Sequence, residues 1–388
     1  MGQSTSFRLP TCTKKSTYKY FVLCTLERKQ SCRILLAFRV PASSTSVDYT
    51  ISDSQLLRQH GIRVHDGASG QPRPADQRRE VIALDAEAAH ALDHYCDRQM
   101  LCVLKRYNYP AGRKMVNMKK RAKNEANALR RLRRCKRIVT LLDAFEFDGA
   151  TYYAMEYLWR GTLWSLIRRN KGLDVSTTKA YALQVAMAID AMHRQGITHR
   201  DVTASNIMIS STGHLKIIDF NLCRLLDHRD TRMNSFLGTY SCMPPEVLHC
   251  NVNSSLVSGG STYTKEVDWW YFGSLVYEML TGETPFTIES KDNDEQFYNR
   301  VIRSPNTIDF GPICDVDAAD LITQLMQGVP SARLGAMGGS ACVMKHKFFA
   351  GIRGGLTSST IPTNYIEARI FDCIKVCTCG MDYTTYRP

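Results

Sequence analysis

Acidic and amide side chains occur along this chain at a spacing that suits phosphoryl transfer. Asp201 and Asn206 lie five residues apart in the segment HRDVTASN, and Asp219 follows an apolar run in LKIIDFN. Transfer of a phosphoryl group to a hydroxyl needs a carboxylate that orients the nucleophile and oxygen ligands for magnesium. Lys105, near the end of the apolar run QMLCVLKRY, is placed to contact phosphates, and Glu125 follows twenty residues later as a counter-charge. Together these five residues predict a site for a phosphorylated ligand and Mg²⁺.

The order and spacing of the five residues carry this prediction, because a short motif alone is uninformative. A second His-Arg-Asp triplet occurs at residues 228–230. It is followed by Ser235 at the position where Asn206 follows the first triplet. The triplet therefore predicts nothing without the other residues.

The sequence around these residues predicts strands first and helices later. RIVTLLDAF and TYYAMEYL are typical of buried strands, while KNEANALRRL has helical composition without a breaker. After Trp159, the segment TTKAYALQVAMAIDAMHRQ repeats apolar residues at three and four positions and ends before Gly196. This order predicts an α+β fold, with a small β-rich lobe at residues 81–158 and a larger helical lobe at residues 159–352.

The two ends of the chain differ from this central domain. Residues 1–80 are rich in Ser, Gly and Pro, which predicts a partly disordered N-terminal extension. Two short apolar runs within it, YFVL and ILLAF, are compatible with a helix or a strand. Residues 353–388 are predicted to form a C-terminal tail. Its three cysteines lack the second ligand pair that a zinc site needs, so they are interpreted as thiols; they are Cys373, Cys377 and Cys379.

Bulk composition bounds the class of protein. The chain has 388 residues, of which 44% are hydrophobic and 22% charged, which is ordinary for a soluble globular protein. It has no run of 18 apolar residues, and its N-terminus lacks the features of a secretory signal. We expect a cytoplasmic protein, with nuclear location or membrane association as alternatives. The start MGQSTS matches the N-myristoylation pattern at Gly2, and membrane association is expected only if Gly2 is acylated.

The positive charge of the chain is local. Residues 113–137 contain 12 basic residues and one acid, Glu125, while the net charge of the whole chain is +13. No aromatic residue lies in this segment, so it offers no platform on which nucleic-acid bases could stack. Two interpretations stay open, a solvated helix face and a docking site for an acidic or phosphorylated partner.

Six motifs give the chain a family resemblance. They occur in the order HRDVTASN, IIDFN, SFLGTYSCMPPE, DWWYFGSLVYEMLTGETPF, SARLG and HKFFAGI. With them the chain resembles the eukaryotic protein kinases, and the paired tryptophans after Asp268 are similar to the AGC group, which includes the cyclic-AMP-dependent kinase. The resemblance covers Val81 to Ile352. It implies a bilobal kinase fold, ATP and Mg²⁺ as cofactors, and a serine or threonine of a protein as the substrate.

The resemblance implies a role for each matching residue at the reaction centre. Asp201, Lys105 and Thr239 would be catalytic, with Thr239 touching Asp201 and positioning the substrate hydroxyl. Asn206 and Asp219 would hold magnesium. The nucleotide would be bound by a larger set, which consists of Lys105 with its partner Glu125, the gatekeeper Met155, the hinge from Glu156 to Leu158, and Met208.

Other matching residues would support this centre. Glu246 and Arg333 would form a buried ion pair that ties the activation segment to the helical lobe. Ser235, four residues before Thr239, would be a phosphorylation site, and Arg200 would bind its phosphate. A stacked hydrophobic spine would consist of Leu129, Leu141, His199 and Phe220.

Three departures from the family pattern bear on activity. Counted back from the strand lysine without gaps, Ala83, Asp85 and Ala88 stand where the resemblance places three glycines over the phosphates. Thr203 replaces a lysine that would place positive charge on the transferred phosphate, and such a loss typically costs about 10²–10³ in rate. Asn221 replaces a glycine, and asparagine tolerates the left-handed backbone region better than most residues.

These departures leave two functions open. The first is a slow or conditional serine/threonine kinase, and the alternative is a nucleotide-binding pseudokinase that acts as a scaffold or allosteric partner. Thr162, Ser205 and Glu278 match the acids with which the cyclic-AMP-dependent kinase recognises arginines, and only Glu278 keeps its charge. We therefore expect a low preference for basic substrate peptides.

Overall fold

The structure is a computed structural model of the chain. The residues that it describes are 18–28, 32–41, 101–109, 113–147, 149–226, 232–252, 262–287 and 294–351. The chain divides into two compact units. The first lies within Met1–Ala122 and Thr140–Arg160, and the second within Lys123–Val139 and Gly161–Thr363.

The first unit is a sheet with one helix that begins in it. Its strands are β1 (Tyr18–Arg28), β2 (Cys32–Pro41), β3 (Leu101–Tyr107), β4 (Leu141–Phe147) and β5 (Ala150–Glu156). They pair antiparallel in the order β1-β2-β3-β5-β4. Helix α1 (Arg113–Arg131) begins in this unit and ends in the second.

The register of the sheet separates a packed face from the face that carries Lys105. Leu104 pairs with Ala154, and both are fully buried within a cluster that also contains Tyr20, Phe145 and Tyr152. The rings of Phe145 and Tyr152 stack with centroids 5.3 Å apart. Because side chains alternate along a strand, Lys105 points to the opposite face. There it pairs in register with Tyr153, whose hydroxyl donates to the Ala122 carbonyl of α1 at 2.7 Å.

The sheet begins earlier than the sequence predicted. Strands β1 and β2 lie within residues 1–80 and contain the runs YFVL and ILLAF, so the predicted boundary of the small lobe at Val81 is corrected to include them. Strand β2 pairs directly with β3 although 59 residues, 42–100, separate them along the chain. The ungapped count back from Lys105 assumed a short connection before β3. For that reason it did not reach β1 and β2.

The predicted counterpart of the glycine-rich loop stays a prediction. Ala83, Asp85 and Ala88 lie outside the described residues, and the two strands that precede β3 in the sheet are joined by residues 29–31. Those residues are Lys, Gln and Ser. The segment that joins β1 to β2 therefore contains no glycine.

The second unit is helical, as the sequence predicted. Its helices are α2 (Leu163–Asn170), α3 (Val175–Arg194), α4 (Pro245–Val252), α5 (Val267–Thr281), α6 (Asp294–Ile302), α7 (Val316–Leu325) and α8 (Gly339–Met344). Helix α5 is buried on all sides from Val267 to Met279, which is the property of a central core helix. It packs against α3 and α7.

Two short antiparallel strand pairs in the second unit flank the loop that contains Asp201. Strand β6 (Ile197–Thr198) pairs with β9 (Arg224–Leu225), and β7 (Ile207–Ile209) pairs with β8 (Leu215–Ile217). The segment from His199 to Asn206 connects β6 to β7. In the described part of the chain, no helix is both long enough and apolar enough to cross a membrane.

Candidate active site

A buried carboxylate on α5 fixes the start of the catalytic loop. Asp268 is fully buried, and its two oxygens accept the backbone N–H groups of His199 at 3.0 Å and Arg200 at 2.8 Å. The His193 ring lies 2.9 Å from the same carboxylate. Burial alone would raise the pKa of Asp268, but the hydrogen bond and charge of His193, with further contacts, hold this pKa below its usual value. An ionised anchor thus stabilises the loop, in which Arg200 has a positive φ of 71°.

Asp201 is oriented from both sides. Its Oδ1 accepts the Thr239 backbone N–H at 2.9 Å and the Thr239 hydroxyl at 2.7 Å. Its Oδ2 accepts the Asn206 side-chain amide at 2.8 Å. A carboxylate has about four acceptor positions in total. Among the described residues three of them are used, and one on Oδ2 stays open. That oxygen is the one suited to accept a hydroxyl proton.

Asn206 and Asp219 are brought together by the β7–β8 hairpin. Ile207 pairs with Ile217, and the Ile218 N–H donates to the Asn206 carbonyl at 2.9 Å, so Asp219 follows immediately beside Asn206. The Asn206 amide nitrogen is used on Asp201, which leaves its side-chain oxygen as a ligand. Among the described residues, no three His, Cys, Asp or Glu side chains form a metal-binding group.

This donor set fits magnesium. Mg²⁺ is commonly bound by one or two side-chain oxygens together with water and substrate phosphates rather than by an all-protein cage. Asn206 and Asp219 would hold the ion here. Asp219 adopts the left-handed region with φ 56°, whereas Asn221 lies in a 3₁₀ turn from Phe220 to Leu222 and is not among the positive-φ residues. Asn221 therefore does not need the left-handed backbone that asparagine would tolerate, and this replacement of glycine carries no backbone strain.

The activation segment is tied to the loop through a tyrosine. Arg200 is buried and donates to the Leu222 carbonyl at 2.6 Å and to the Tyr263 hydroxyl at 3.2 Å. The Tyr263 hydroxyl in turn donates to the Ser235 carbonyl at 2.7 Å. The Ser235 side chain itself is exposed. Tyr263 thus connects the two residues that the resemblance pairs through a phosphate.

Two further pairs that the sequence suggested are present within the second unit. The Arg333 guanidinium donates to both Glu246 oxygens, at 2.6 and 2.7 Å, and the Arg333 side chain is fully buried. The His199 and Phe220 rings meet edge to face with centroids 4.8 Å apart. Leu129 of this unit is buried, and Leu141 lies half-buried on β4 of the first unit.

The residues predicted to bind nucleotide are divided between the units. Lys105, Met155 and Leu158 are buried in the first unit, where the Glu156 side chain accepts the Thr140 N–H at 2.7 Å. Glu125 is fully buried on the part of α1 that belongs to the second unit. Met208 lies half-buried on β7 of the second unit, and Thr162 forms a β-bridge with it.

Sequence reasoning missed Asp268, Tyr263 and Tyr271 as parts of this site. Asp268 had a usable signal, because a single acid inside the apolar helix sequence VDWWYF must find buried partners. The two tyrosines had none, since their partners are 28 and 33 residues away along the chain. Only the packing of α5 and of the segment before it shows what they contact.

Comparison with known proteins agrees with this geometry. The protein kinase domain family matches residues 94–349. The serine/threonine protein kinase ypkA of Aspergillus fumigatus is 34% identical over 215 residues, which are 55% of this chain and 32% of that protein. The serine/threonine-protein kinase gad8 of Schizosaccharomyces pombe is 33% identical over 212 residues, 55% of this chain and 34% of that protein.

A third relative belongs to the group that the motifs indicated. The cAMP-dependent protein kinase catalytic subunit of Dictyostelium discoideum is 32% identical over 216 residues, 55% of this chain and 31% of that protein. The chain thus spans about a third of the length of these relatives. The predicted resemblance to AGC kinases is confirmed, and the chain belongs to the protein kinase family.

Proposed function

We propose that this chain is a serine/threonine protein kinase that transfers the γ-phosphoryl group of ATP to a hydroxyl of a protein substrate. The observation that carries the proposal is the orientation of the Asp201 carboxylate by Thr239 and Asn206, which leaves one acceptor position on Oδ2 open among the described residues. A scaffold that only binds nucleotide has no need for an oriented carboxylate beside its metal ligands. The names of the relatives support the same activity.

The mechanism follows from this arrangement. A substrate hydroxyl donates to Asp201 Oδ2, its oxygen forms a bond to the γ-phosphorus of ATP, and the bond to the β-phosphate oxygen breaks to release ADP. The hydroxyl proton passes to Asp201. Magnesium, held by Asn206 and Asp219, would neutralise charge on the phosphates. Lys105 would hold the α- and β-phosphates.

We expect the rate to be low because the loop supplies little positive charge. Thr203 is 5% exposed, and its hydroxyl lies 3.1 Å from that of Ser205. A hydroxyl pair provides no cation for the transferred phosphate. Ala83, Asp85 and Ala88 stand where the family resemblance places glycines, and they would also hinder close approach of backbone N–H groups to the phosphates.

A paired assay tests the proposed activity. We expect Mg-ATP to raise the melting temperature of the full chain and radiolabel to pass from γ-labelled ATP to a protein substrate. Asp201→Asn should retain the thermal shift and lose at least about 10²-fold in transfer, the usual contribution of a general base. A wild-type protein that shows the shift but no transfer with any substrate would contradict the proposal in favour of the pseudokinase.

The substrate is proposed to lack a strong basic signature. The Thr162 hydroxyl caps α2 by accepting the Ser165 N–H at 3.2 Å, and Ser205 faces Thr203, so neither supplies a charge. Glu278, the remaining acid, is 6% exposed, and burial raises its pKa to about 7, against the opposing charge of Arg168. It is thus partly neutral at physiological pH. On a peptide array, strong selection for arginine two or three positions before the phosphoacceptor would contradict this proposal.

A docking partner is proposed at the end of α1. The exposed basic residues there form one patch with no acid between residues 126 and 142; they are Arg130, Arg131, Arg133, Arg134 and Lys136. Such a patch suits an acidic or phosphorylated peptide. Binding of a phosphopeptide that weakens with added salt and with Arg133→Glu/Arg134→Glu would support it, and unchanged binding in that variant would refute it. Cytoplasmic location, and myristoylation at Gly2, which lies outside the described residues, stay proposals.

A further inference from the structure

Tyr271 on the central helix α5 lies against Gly238, the residue that precedes Thr239. Tyr271 on α5 is 1% exposed, and its hydroxyl has no hydrogen-bond partner among the residues that the structure describes. Burial, and next the negative charge of Asp201, raise the pKa of Tyr271 well above its usual value. The phenol therefore keeps its proton and stands close to the catalytic carboxylate.

Gly238 and Tyr271 fit each other. A Cβ atom on Gly238 would lie 2.0 Å from the Tyr271 hydroxyl oxygen, 2.9 Å from the Arg200 carbonyl oxygen and 3.2 Å from the Tyr271 Cζ. The phenol oxygen thus fills the space that a side chain at position 238 would need. Gly238 also has φ +132°, which favours glycine independently.

The segment that rests on this phenol carries the contact to Asp201. Thr239 follows Gly238 and makes both hydrogen bonds to Asp201 Oδ1. We propose that Tyr271 is a positioning residue: its phenol oxygen supports Gly238, so that Thr239 holds Asp201 in the orientation required for transfer. The kinetic part of this proposal rests on the proposed kinase activity, while its structural part does not.

Loss of the Tyr271 hydroxyl should lower activity without lowering stability. In Tyr271→Phe the ring remains, but the space that the hydroxyl oxygen filled next to Gly238 becomes empty. Gly238 and Thr239 can then shift toward the ring. Because the hydroxyl has no partner among the described residues, its removal also takes away an unsatisfied polar group. We expect about tenfold lower kcat with unchanged KM for ATP, and a melting temperature that is equal or higher, since small misplacements of reacting groups cost rate.

A double-mutant cycle tests the contact directly. Gly238→Ala should lower kcat by about 10²-fold, because the new Cβ meets the phenol oxygen. When Tyr271→Phe is combined with Gly238→Ala, the ring atom nearest to the new Cβ is Cζ at 3.2 Å instead of the hydroxyl oxygen at 2.0 Å. The kcat of the double variant should therefore exceed that of Gly238→Ala. A double variant whose loss equals the product of the two single losses would show that the residues act independently and would overturn the proposal.

A control on the same helix distinguishes this role from general loss of a hydroxyl. Tyr277 is also buried, and its hydroxyl donates to the Asp309 carbonyl at 2.9 Å. Tyr277→Phe removes a satisfied hydrogen bond away from Gly238, so its melting temperature should fall while kcat stays at the wild-type value. Loss of kcat in Tyr277→Phe equal to that in Tyr271→Phe would remove the case for a specific role.

A measurement independent of activity separates failure of this proposal from failure of the proposed function. Hydrogen exchange at the Thr239 amide reports its bond to Asp201 whether or not the protein transfers phosphate. Tyr271→Phe should speed this exchange severalfold, and Tyr277→Phe should leave it unchanged. An unchanged rate in Tyr271→Phe would overturn the proposal, and an inactive wild type with faster exchange in Tyr271→Phe would refute only the kinase activity.

Discussion

At the residue scale, the chemistry depends on which hydrogen-bonding positions of Asp201 and Asn206 are not already used by other described residues. Asp201 uses three acceptor positions within the protein, and Asn206 uses its amide nitrogen on Asp201. Among the described residues, one acceptor position of Asp201 is left for a proton. Positive charge for the transferred phosphate is the component that the loop lacks.

Restoring that charge should raise activity. In Thr203→Lys the ammonium group would reach toward the transferred phosphate, and one such stabiliser is commonly worth about 10²–10³ in rate. Thr203 is 5% exposed, so part of this gain will be offset by repacking, and we expect kcat to rise at least tenfold. Thr203→Met, of similar length and without charge, is the control. Equal kcat in the two variants would show that charge at this position does not limit the reaction.

The pKa of Glu278 predicts a pH-dependent stability. Burial raises this pKa to about 7, while Arg168 lowers it and Glu283 raises it. An unfolded glutamate has a pKa of about 4.3, so between these values the folded state holds more protons. The stabilising contribution, roughly 4 kcal/mol, is complete below about pH 4.3 and is lost as pH rises through 7.

Glu278→Gln should remove this dependence. Relative to wild type, its melting temperature should increase between pH 5 and pH 7 and level off by pH 8, because glutamine cannot ionise. Differential scanning fluorimetry across this range measures the difference. Glu295→Gln, at an exposed position of α6, should follow the wild-type curve. A constant difference between Glu278→Gln and wild type at all pH values would contradict the assignment.

At the scale of elements, the activation segment has an anchor that does not depend on phosphate. Tyr263 accepts from Arg200 and donates to the Ser235 carbonyl, and its backbone pairs with that of Met233 in both directions, at 2.7 and 2.8 Å. The segment is therefore already held near Arg200. A phosphate on Ser235 would add about −1.5 to −2 charges at a position that this anchor has prepared.

Ser235→Ala should consequently affect activity more than stability. The Ser235 side chain is exposed, so its removal should leave the melting temperature nearly unchanged, while loss of the phosphate should lower kcat severalfold. Tyr263→Phe is the complementary variant, and it should lower the melting temperature even in unphosphorylated protein. The idea fails if Ser235→Ala and a wild type shown by mass spectrometry to carry phosphate on Ser235 have equal kcat.

At the scale of the whole molecule, the sheet extends beyond the part that matches the kinase family. The match begins at residue 94, whereas β1 and β2 end at Pro41. Two of the five strands are therefore contributed by sequence upstream of the recognised domain. Without them the whole length of β3, including Lys105, would become a sheet edge with unpaired backbone groups.

A fragment cut at the family match should therefore fail to fold. Residues 94–349 retain only β3, β4 and β5 of the sheet and expose one side of β3. We expect this fragment to aggregate or to melt without cooperativity, and a fragment of residues 18–351 to melt cooperatively. Thermal melts followed by circular dichroism compare the two. A soluble 94–349 fragment with a sharp transition would show that β1 and β2 are dispensable.

Much of the fold and part of the site follow from local patterns. The order of strands and helices, and the motifs around Asp201, Asp219 and Glu246, could be predicted because periodicity and motif spacing are properties of short segments. The start of the sheet could not, because β2 and β3 pair across 59 residues, 42–100. Periodicity shows that a segment will be buried, but not which distant strand it will join.

The sequence by itself determined which chemical groups are available: a carboxylate, an amide and a second carboxylate at kinase spacing, without the lysine that usually accompanies them. Only the tertiary structure decided how they are held. Asp268 became an ionised anchor because two loop N–H groups and His193 converge on it inside α5's core. Tyr271 came to lie against Gly238 because α5 packs beneath a segment more than thirty residues away. Such contacts form only when segments that are distant in sequence pack together. A local sequence pattern does not show which segments these will be.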